Sequence, residues 1–109
     1  MSSQAILVLT TCGNAAEARE LAEILVEQRY AACVSRVEGI VSTYRWESKI
    51  EESQEALVLV KTPRDQYEAV ERTILEKTSY ELPDILVVPI EGGFTEYLTW
   101  LTSAVSQET

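Results

Sequence analysis

Apolar residues alternate along this chain between strand-like and helix-like blocks. The unbroken apolar run from Ala5 to Leu9 is typical of a central strand buried on both faces. Asn14 with Glu17 three residues later matches a capping box, and apolar residues at helical spacing follow. This pattern predicts a first helix that ends near Arg29.

The next strand-like block is unusually long. β-branched and aromatic residues run from Ala32 to about Trp46, and Gly39 inside the block indicates a bulge or bend. A turn over residues 47–50 and a third strand from about Glu51 to Lys61 follow. Each of these two strands would span about 40 Å at about 3.3 Å per residue, so the tip of the hairpin must overhang the sheet.

The remaining sequence predicts a helix, a short strand and a last helix. Thr62 followed by Pro63 is typical of a helix start, and this second helix should end near Lys77. Residues 85–88 form a short apolar strand before an amphipathic helix whose apolar stripe contains Phe94, Tyr97, Leu98 and Leu101. The order βαββαβ with a trailing helix predicts an α+β, ferredoxin-like antiparallel sheet with helices on one face, as one domain over residues 1–109.

The overhanging hairpin predicts an oligomer. Its tip carries Tyr44 and Trp46, which are costly to expose, and an isolated two-stranded ribbon is only marginally stable in water. Another subunit is the simplest cover, and Trp100 on the last helix is a second candidate contact. The alternative is a hairpin that curls back over its own core.

Composition narrows the function classes. The net charge of −9 would repel a phosphate backbone, so nucleic acid is not an expected partner. The apolar run near the N-terminus is too short for a signal peptide or a membrane span, and we expect a cytoplasmic protein without a membrane partner. Cys12 and Cys33 have no CxxC spacing, and reduced thiols are expected.

The chemistry available to the chain is limited by the absence of histidine, which excludes Ser-His and Cys-His nucleophile pairs. Dinucleotide, Walker-type and elbow-serine motifs are also absent, so we do not expect an enzyme. Cys33 is either a packing residue or a thiolate ligand for copper, with carboxylates or a partner subunit completing the site. Tyr80 and Glu81 lie in a loop that could project into a cleft between subunits.

Five stretches of the sequence together resemble the CutA divalent-cation tolerance proteins. They are Ala31-Ala32-Cys33-Val34, the hairpin segment from Ser42 to Ile50, Lys61-Thr62, the loop segment from Tyr80 to Ile85, and Tyr97-Leu98-Thr99-Trp100. The resemblance covers nearly the whole chain in order. It implies a ferredoxin-like homotrimer related to PII-like signalling proteins, with hairpins that pair across subunits, and an association with copper and other divalent cations.

Two departures from the family pattern affect what the resemblance implies. Thr78-Ser79 stands where the family usually has His-Pro, and Ser48 stands where a glycine is usual. Without that histidine, metal binding would have to use thiolate and carboxylate groups.

Two functions follow as hypotheses. The first is a trimeric metal-response protein that binds copper(II) or another divalent cation through Cys33 and Glu81. The alternative is a PII-like signalling module whose inter-subunit clefts, lined by Lys49, Lys61, Tyr80 and Glu81, hold an anionic small molecule or a partner's loop.

Overall fold

The computed structural model describes residues 4–106, which form one four-stranded antiparallel sheet and three α-helices. The elements are β1 Ala5–Cys12, α1 Ala15–Glu27, β2 Cys33–Trp46, β3 Lys49–Pro63, α2 Tyr67–Lys77, β4 Ile85–Pro89 and α3 Thr95–Ala104. The strands lie in the order β2-β3-β1-β4. The predicted α+β class and antiparallel sheet are confirmed. No helix in the described part of the chain is long and apolar enough to cross a membrane.

One face of the sheet is covered by α1 and α2 and holds the core. Alternate residues of β1 and β3 point to this face and are completely buried, as Ile6, Val8 and Val58 show at 0% exposure. Leu25 of α1 and Ile74 of α2 pack against them. We call this side the helix-covered face.

The opposite side, here called the open face, is apolar but only partly covered. It consists of Leu7, Leu9, Leu57, Leu59, Leu86 and Val88, which follow from the alternation of side chains and from cross-strand pairing. Leu86 is 59% exposed and Val88 41% exposed. The prediction that β1 is buried on both faces is therefore only half right within one chain, because none of residues 4–106 covers most of this side.

The last helix lies against one end of the open face. Leu101 and Val105 pack there with Ala5 and Ala32. Two other residues of the predicted apolar stripe remain at the surface, Phe94 at 71% and Tyr97 at 39% exposure, and Leu98 is half-buried. The amphipathic pattern therefore exceeds what one chain buries.

The predicted overhang of the hairpin is confirmed. Pairing of β1 with β3 stops at Ala56, so residues 49–55 have only β2 beside them and extend about 20 Å beyond the sheet at about 3.3 Å per residue. The predicted irregularity is also present, because the register shifts between Val37 and Ile40 and Gly39 has a φ of 77°. Glu47 and Ser48 form the connecting turn, both with positive φ.

The predicted helix start at Thr62-Pro63 is wrong. Thr62 pairs with Ile6 inside the sheet, and its buried hydroxyl donates a hydrogen bond to the carbonyl of Tyr30 at 2.6 Å. A side chain held in this way cannot cap a helix. The chain instead passes through a short 3₁₀ turn, Arg64–Gln66, before α2 begins at Tyr67.

Candidate functional site

A cleft of about 400 Å³ lies where β1 ends and the hairpin begins to overhang. Three segments form it, namely the end of β1, the inner side of the hairpin and the loop between α2 and β4. The lining residues are Thr11, Ser42, Tyr44, Trp46, Glu55, Tyr80, Glu81, Leu82 and Asp84. We call it the hairpin cleft.

A tyrosine–carboxylate pair joins the loop to the hairpin across the floor of this cleft. The hydroxyl of Tyr80 donates a hydrogen bond to Glu55 Oε2 at 2.5 Å. Burial raises the pKa of Glu55, but hydrogen bonds from Ser42, Tyr80 and Thr11 outweigh that effect and lower its pKa overall. Burial and the neighbouring carboxylate of Glu55 raise the pKa of Tyr80. At neutral pH the pair therefore consists of a neutral phenol and an ionised carboxylate.

A second carboxylate fixes the other end of the loop. Asp84 Oδ1 accepts hydrogen bonds from the backbone N–H of Thr11 at 3.1 Å and from its hydroxyl at 2.7 Å. Because Thr11 lies near the end of β1, the loop is tied to the central strand just before β4 begins. The floor of the hairpin cleft is therefore held by hydrogen bonds between segments distant in sequence.

Two aromatic rings form the wall on the hairpin side. Tyr44 is 42% exposed and Trp46 is 39% exposed. The hydroxyl of Tyr44 lies 2.7 Å from Ser53 Oγ on the neighbouring strand, which positions its ring. The wall thus offers aromatic surface to whatever enters the cleft.

The sequence over residues 6–104 matches the model of the CutA1 divalent ion tolerance proteins. The chain belongs to this family. It is 41% identical over 95 residues to the divalent-cation tolerance protein CutA of Thermus thermophilus, covering 87% of this chain and 92% of that protein. It is 37% identical over 101 residues to the CutA of Pectobacterium atrosepticum, covering 93% and 92% of the two chains. The resemblance drawn from the sequence motifs is confirmed.

Solved CutA structures share the fold as well. The crystal structure of CutA from Xylella fastidiosa gives a TM-score of 0.92 at 36% identity, covering 95% of this chain and 100% of that one. CutA1 from Oryza sativa gives a TM-score of 0.93 at 31% identity, covering 98% of each chain. The long hairpin and the strand order therefore belong to the fold of CutA proteins.

The residues predicted from the sequence to form sites fall into three separate places in this CutA-family chain. Tyr80 and Glu81 line the hairpin cleft, as their shared loop suggested. Lys49 lies at the hairpin tip opposite Trp46. Lys61 pairs with both Leu7 and Cys33, which places it on the open face. One chain therefore does not bring the two lysines to the cleft, and their shared role stays a prediction for the assembly.

The two predicted metal ligands are also apart within one chain. Cys33 is half-buried beside Lys61, which lies six residues along β3 from Glu55 in the cleft, about 20 Å at about 3.3 Å per residue. Glu81 lines the cleft itself. Across residues 4–106, no three His, Cys, Asp or Glu side chains come together as a metal site. A shared ion would not fit Cys33 and Glu81 of the same chain.

Both cysteines are free thiols in different surroundings. Cys12 is 4% exposed on the helix-covered side, where burial and the carboxylates of Glu17, Asp84 and Glu55 raise its pKa to about 11. Its thiol therefore stays protonated at neutral pH. Cys33 is the more accessible of the two.

Thr11 and Asp84 are cleft residues that the sequence interpretation did not select. A signal was available, because they lie at the end of β1 and just before β4, and these strands are neighbours in a ferredoxin-like sheet. Using this signal required applying the strand order of the predicted ferredoxin-like sheet to these two residues, which the sequence interpretation did not do.

Proposed function

We propose that this chain acts as a homotrimeric divalent-cation response protein of the cytoplasm, binding copper(II) or another divalent cation without catalysing a reaction. The observation that carries the proposal is membership of the CutA1 divalent ion tolerance family over residues 6–104. The relatives in Thermus and Pectobacterium are themselves named divalent-cation tolerance proteins.

Assembly is supported by the open face. A sheet face that remains in water is normally polar, whereas this one carries leucines on three neighbouring strands. The hairpin adds further apolar surface, since Val41 is 61% exposed and Ile50 is 64% exposed. Copies of the chain would cover both regions, and the resemblance to PII-like proteins favours three of them.

Metal binding is supported by the position of Cys33 on the open face, the surface through which subunits would meet. A thiolate is a suitable ligand for copper, and carboxylates such as Glu81 can complete a mixed site. Because Cys33 lies beside Lys61, about 20 Å along β3 from Glu55 in the cleft that Glu81 also lines, the proposed site takes Cys33 and Glu81 from different subunits. The net charge of −9 adds a general attraction for cations.

Light scattering combined with a metal titration tests the proposal. We expect a mass of three chains at micromolar concentration, and copper(II) binding that weakens in Cys33→Ser and in Glu81→Gln. Cys12→Ser is the matched control, because that thiol is buried on the other side of the sheet. A parallel titration with zinc(II) checks the result, because zinc(II) does not oxidise thiols whereas copper(II) does.

A folded monomer would contradict the assembly. Equal copper binding by the native protein and Cys33→Ser would remove Cys33 from the site.

The second candidate is a PII-like small-molecule module, and the hairpin cleft favours it. Its volume of about 400 Å³ lies within the range of small-molecule sites. Thermal unfolding measured across a panel of small molecules tests this function, because a ligand that binds only the folded state raises the melting temperature.

A further inference from the structure

We propose that each subunit binds one internal water molecule between β1 and α1, which bridges the hydroxyl of Thr10 to the carboxylate of Glu17. The site lies on the helix-covered side of the sheet, away from the open face. It depends neither on the hairpin cleft nor on either proposed function.

A small cavity lies between the end of β1, the first half of α1 and the end of α2. Its volume is about 10 Å³, roughly the smallest space that admits one water molecule. The lining residues are Thr10, Thr11, Cys12, Glu17, Leu21, Ile74, Lys77 and Thr78. This size excludes an organic ligand and leaves water or a single ion as the occupant.

Two oxygen atoms in the wall of this cavity point to an occupant. Thr10 is 1% exposed, and its Oγ1 has no hydrogen-bond partner among residues 4–106. Oε1 of Glu17 is also buried without a partner in that part of the chain. Leaving such atoms unpaired costs free energy, so buried polar atoms in native proteins are nearly always bonded to protein or to ordered water. One water molecule can donate to Glu17 and accept from Thr10, which satisfies both atoms.

The cavity is enclosed within one subunit, so assembly through the open face leaves it unchanged. Thr10 and Cys12 alternate with Thr11 along β1, and both are buried on the helix-covered face. Leu21 of α1 and Ile74 of α2, each 2% exposed, cover the cavity from the helix side. A neighbouring subunit on the open face would lie on the other side of the sheet.

A metal ion is a poorer match to this cavity than water. The thiol of Cys12 keeps its proton at neutral pH, because burial and nearby carboxylates raise its pKa to about 11, and only a thiolate is a good metal ligand. Glu17 is then the only anionic group in the lining, and the cationic Lys77 lines the same cavity. Among the described residues, no three His, Cys, Asp or Glu side chains converge on a common point. Charge and ligand chemistry therefore both favour a neutral occupant.

The water molecule would connect the start of α1 to the end of β1. Glu17 belongs to the first turn of α1, where its backbone N–H donates to Asn14 Oδ1 at 2.8 Å. Thr10 lies two residues before Cys12, the last residue of β1. The water therefore fixes the Glu17 side chain and adds a hydrogen-bonded bridge to the apolar packing between these elements.

A high-resolution crystal structure of the assembled native protein tests the site directly. We expect one density peak in every subunit, about 2.7–3.2 Å from both Thr10 Oγ1 and the Glu17 carboxylate. A direct hydrogen bond between the two side chains, or a cavity without density, would overturn the proposal. A metal ion would overturn it as well, and would be recognised by anomalous scattering and by ligand distances of about 2.0–2.3 Å.

Thr10→Val tests the site in solution, because it removes the hydroxyl and nearly keeps the shape of the side chain. The magnetic relaxation dispersion of isotope-labelled water counts long-lived internal water molecules, and we expect this variant to lose one per subunit. Thr73→Val is the matched control. Thr73 is 4% exposed, but its hydroxyl donates directly to the carbonyl of Ala69 at 2.8 Å, so that variant should keep the native count. An equal count in the native protein and Thr10→Val would contradict the bridge.

The denaturation midpoint of Thr10→Val gives an independent readout. If water pairs with the hydroxyl, valine removes that hydrogen bond and leaves the other groups of the bridge incompletely paired, so the midpoint should fall. If the hydroxyl has no partner in the native protein, an apolar side chain should instead raise the midpoint, and that result would overturn the proposal. Neither result affects the trimer or its copper binding, which are measured separately on the same protein.

Discussion

The two faces of the sheet contrast sharply although they alternate along the same strands. In β1, Ile6 and Val8 are completely buried beneath α1 and α2, whereas Leu7 and Leu9 between them are only partly covered. Both faces consist mainly of apolar side chains, so residue composition does not explain why one is buried and the other is exposed. The difference lies in what covers them, namely two helices on one side and only part of α3 on the other.

This contrast teaches which part of the molecule folds on its own. The helix-covered face removes its side chains from water within one chain, and this burial is the main favourable term in folding. The open face and the overhanging hairpin gain little from folding alone and would gain much from association. The first region should therefore determine the stability of each subunit, and the second should determine its assembly.

The largest expected effect is loss of assembly in Leu86→Glu. Leu86 is 59% exposed on the open face, and a buried unpaired carboxylate would cost several kcal/mol at an interface, roughly enough to separate the subunits. Light scattering should report single chains that retain the native circular dichroism.

Leu75→Glu is the matched control for this change. Leu75 is 54% exposed, but it belongs to α2 rather than to the open face. Assembly should therefore survive there. If both variants assemble equally well, the open face is not the interface.

A smaller effect, confined to stability, is expected from Leu25→Ala. Leu25 is 0% exposed in the core, and its truncation should lower the free energy of unfolding by about 3 kcal/mol. Val26→Ala changes the adjacent residue, which is 44% exposed, and should cost less than about 0.5 kcal/mol. Chemical denaturation at one fixed protein concentration measures both, and similar losses in the two variants would contradict the assigned core.

The order of elements was predictable from the sequence because apolar residues recur at different spacings in strands and in helices. Apolar runs, helical spacing and the length of β2 and β3 predicted the sheet and its overhang. Gly39 indicated the bulge, since a glycine inside a strand pattern has few other uses. Local pattern was less reliable at Thr62, where pairing with Ile6 decided the structure and overrode a helix-start signal.

The site was less predictable because it depends on register. Tyr80 and Glu81 were found from one loop, but the partners of that loop, Glu55 and Thr11, come from two strands distant in sequence. Register also separates Cys33 from the cleft. The spacing of residues in the sequence does not show which strand residues lie beside a given loop, because that depends on how the strands are aligned.

A still smaller effect is expected from Tyr80→Phe, at the border between the two regions. Loss of the hydroxyl should cost about 1 kcal/mol at neutral pH, since Glu55 is partly solvated. The pKa of Glu55 is lowered in the folded state from 4.5. Its contribution is therefore fully present above that value and is lost as the pH falls through the folded pKa. The difference between native protein and variant should shrink below about pH 4.5.

Carboxyl chemical shifts of Glu55 measure this effect directly and should show a higher pKa in Tyr80→Phe. Tyr67→Phe is the control, because the hydroxyl of Tyr67 donates to Glu71 at 2.8 Å away from the cleft. That variant should leave the Glu55 titration unchanged. An unchanged titration in Tyr80→Phe would show that Tyr80 does not set the pKa of Glu55.

The smallest expected effect on stability comes from the turn of the hairpin. The turn residues are exposed, so their contribution to stability depends mainly on backbone conformation. Ser48 has a φ of 70°, a left-handed conformation that costs a non-glycine residue roughly 1 kcal/mol. Ser48→Gly should therefore raise the free energy of unfolding by about 0.5–1 kcal/mol.

Gly39→Ala is the reverse test at a φ of 77°, where an added Cβ would lie 3.8 Å from Gln54 Nε2 and meet no closer atom. Because that site has space, its expected loss of about 1 kcal/mol would reflect conformation alone. A higher denaturation midpoint in Ser48→Gly and a lower one in Gly39→Ala would support this effect of positive φ on stability, and a destabilised Ser48→Gly would contradict it.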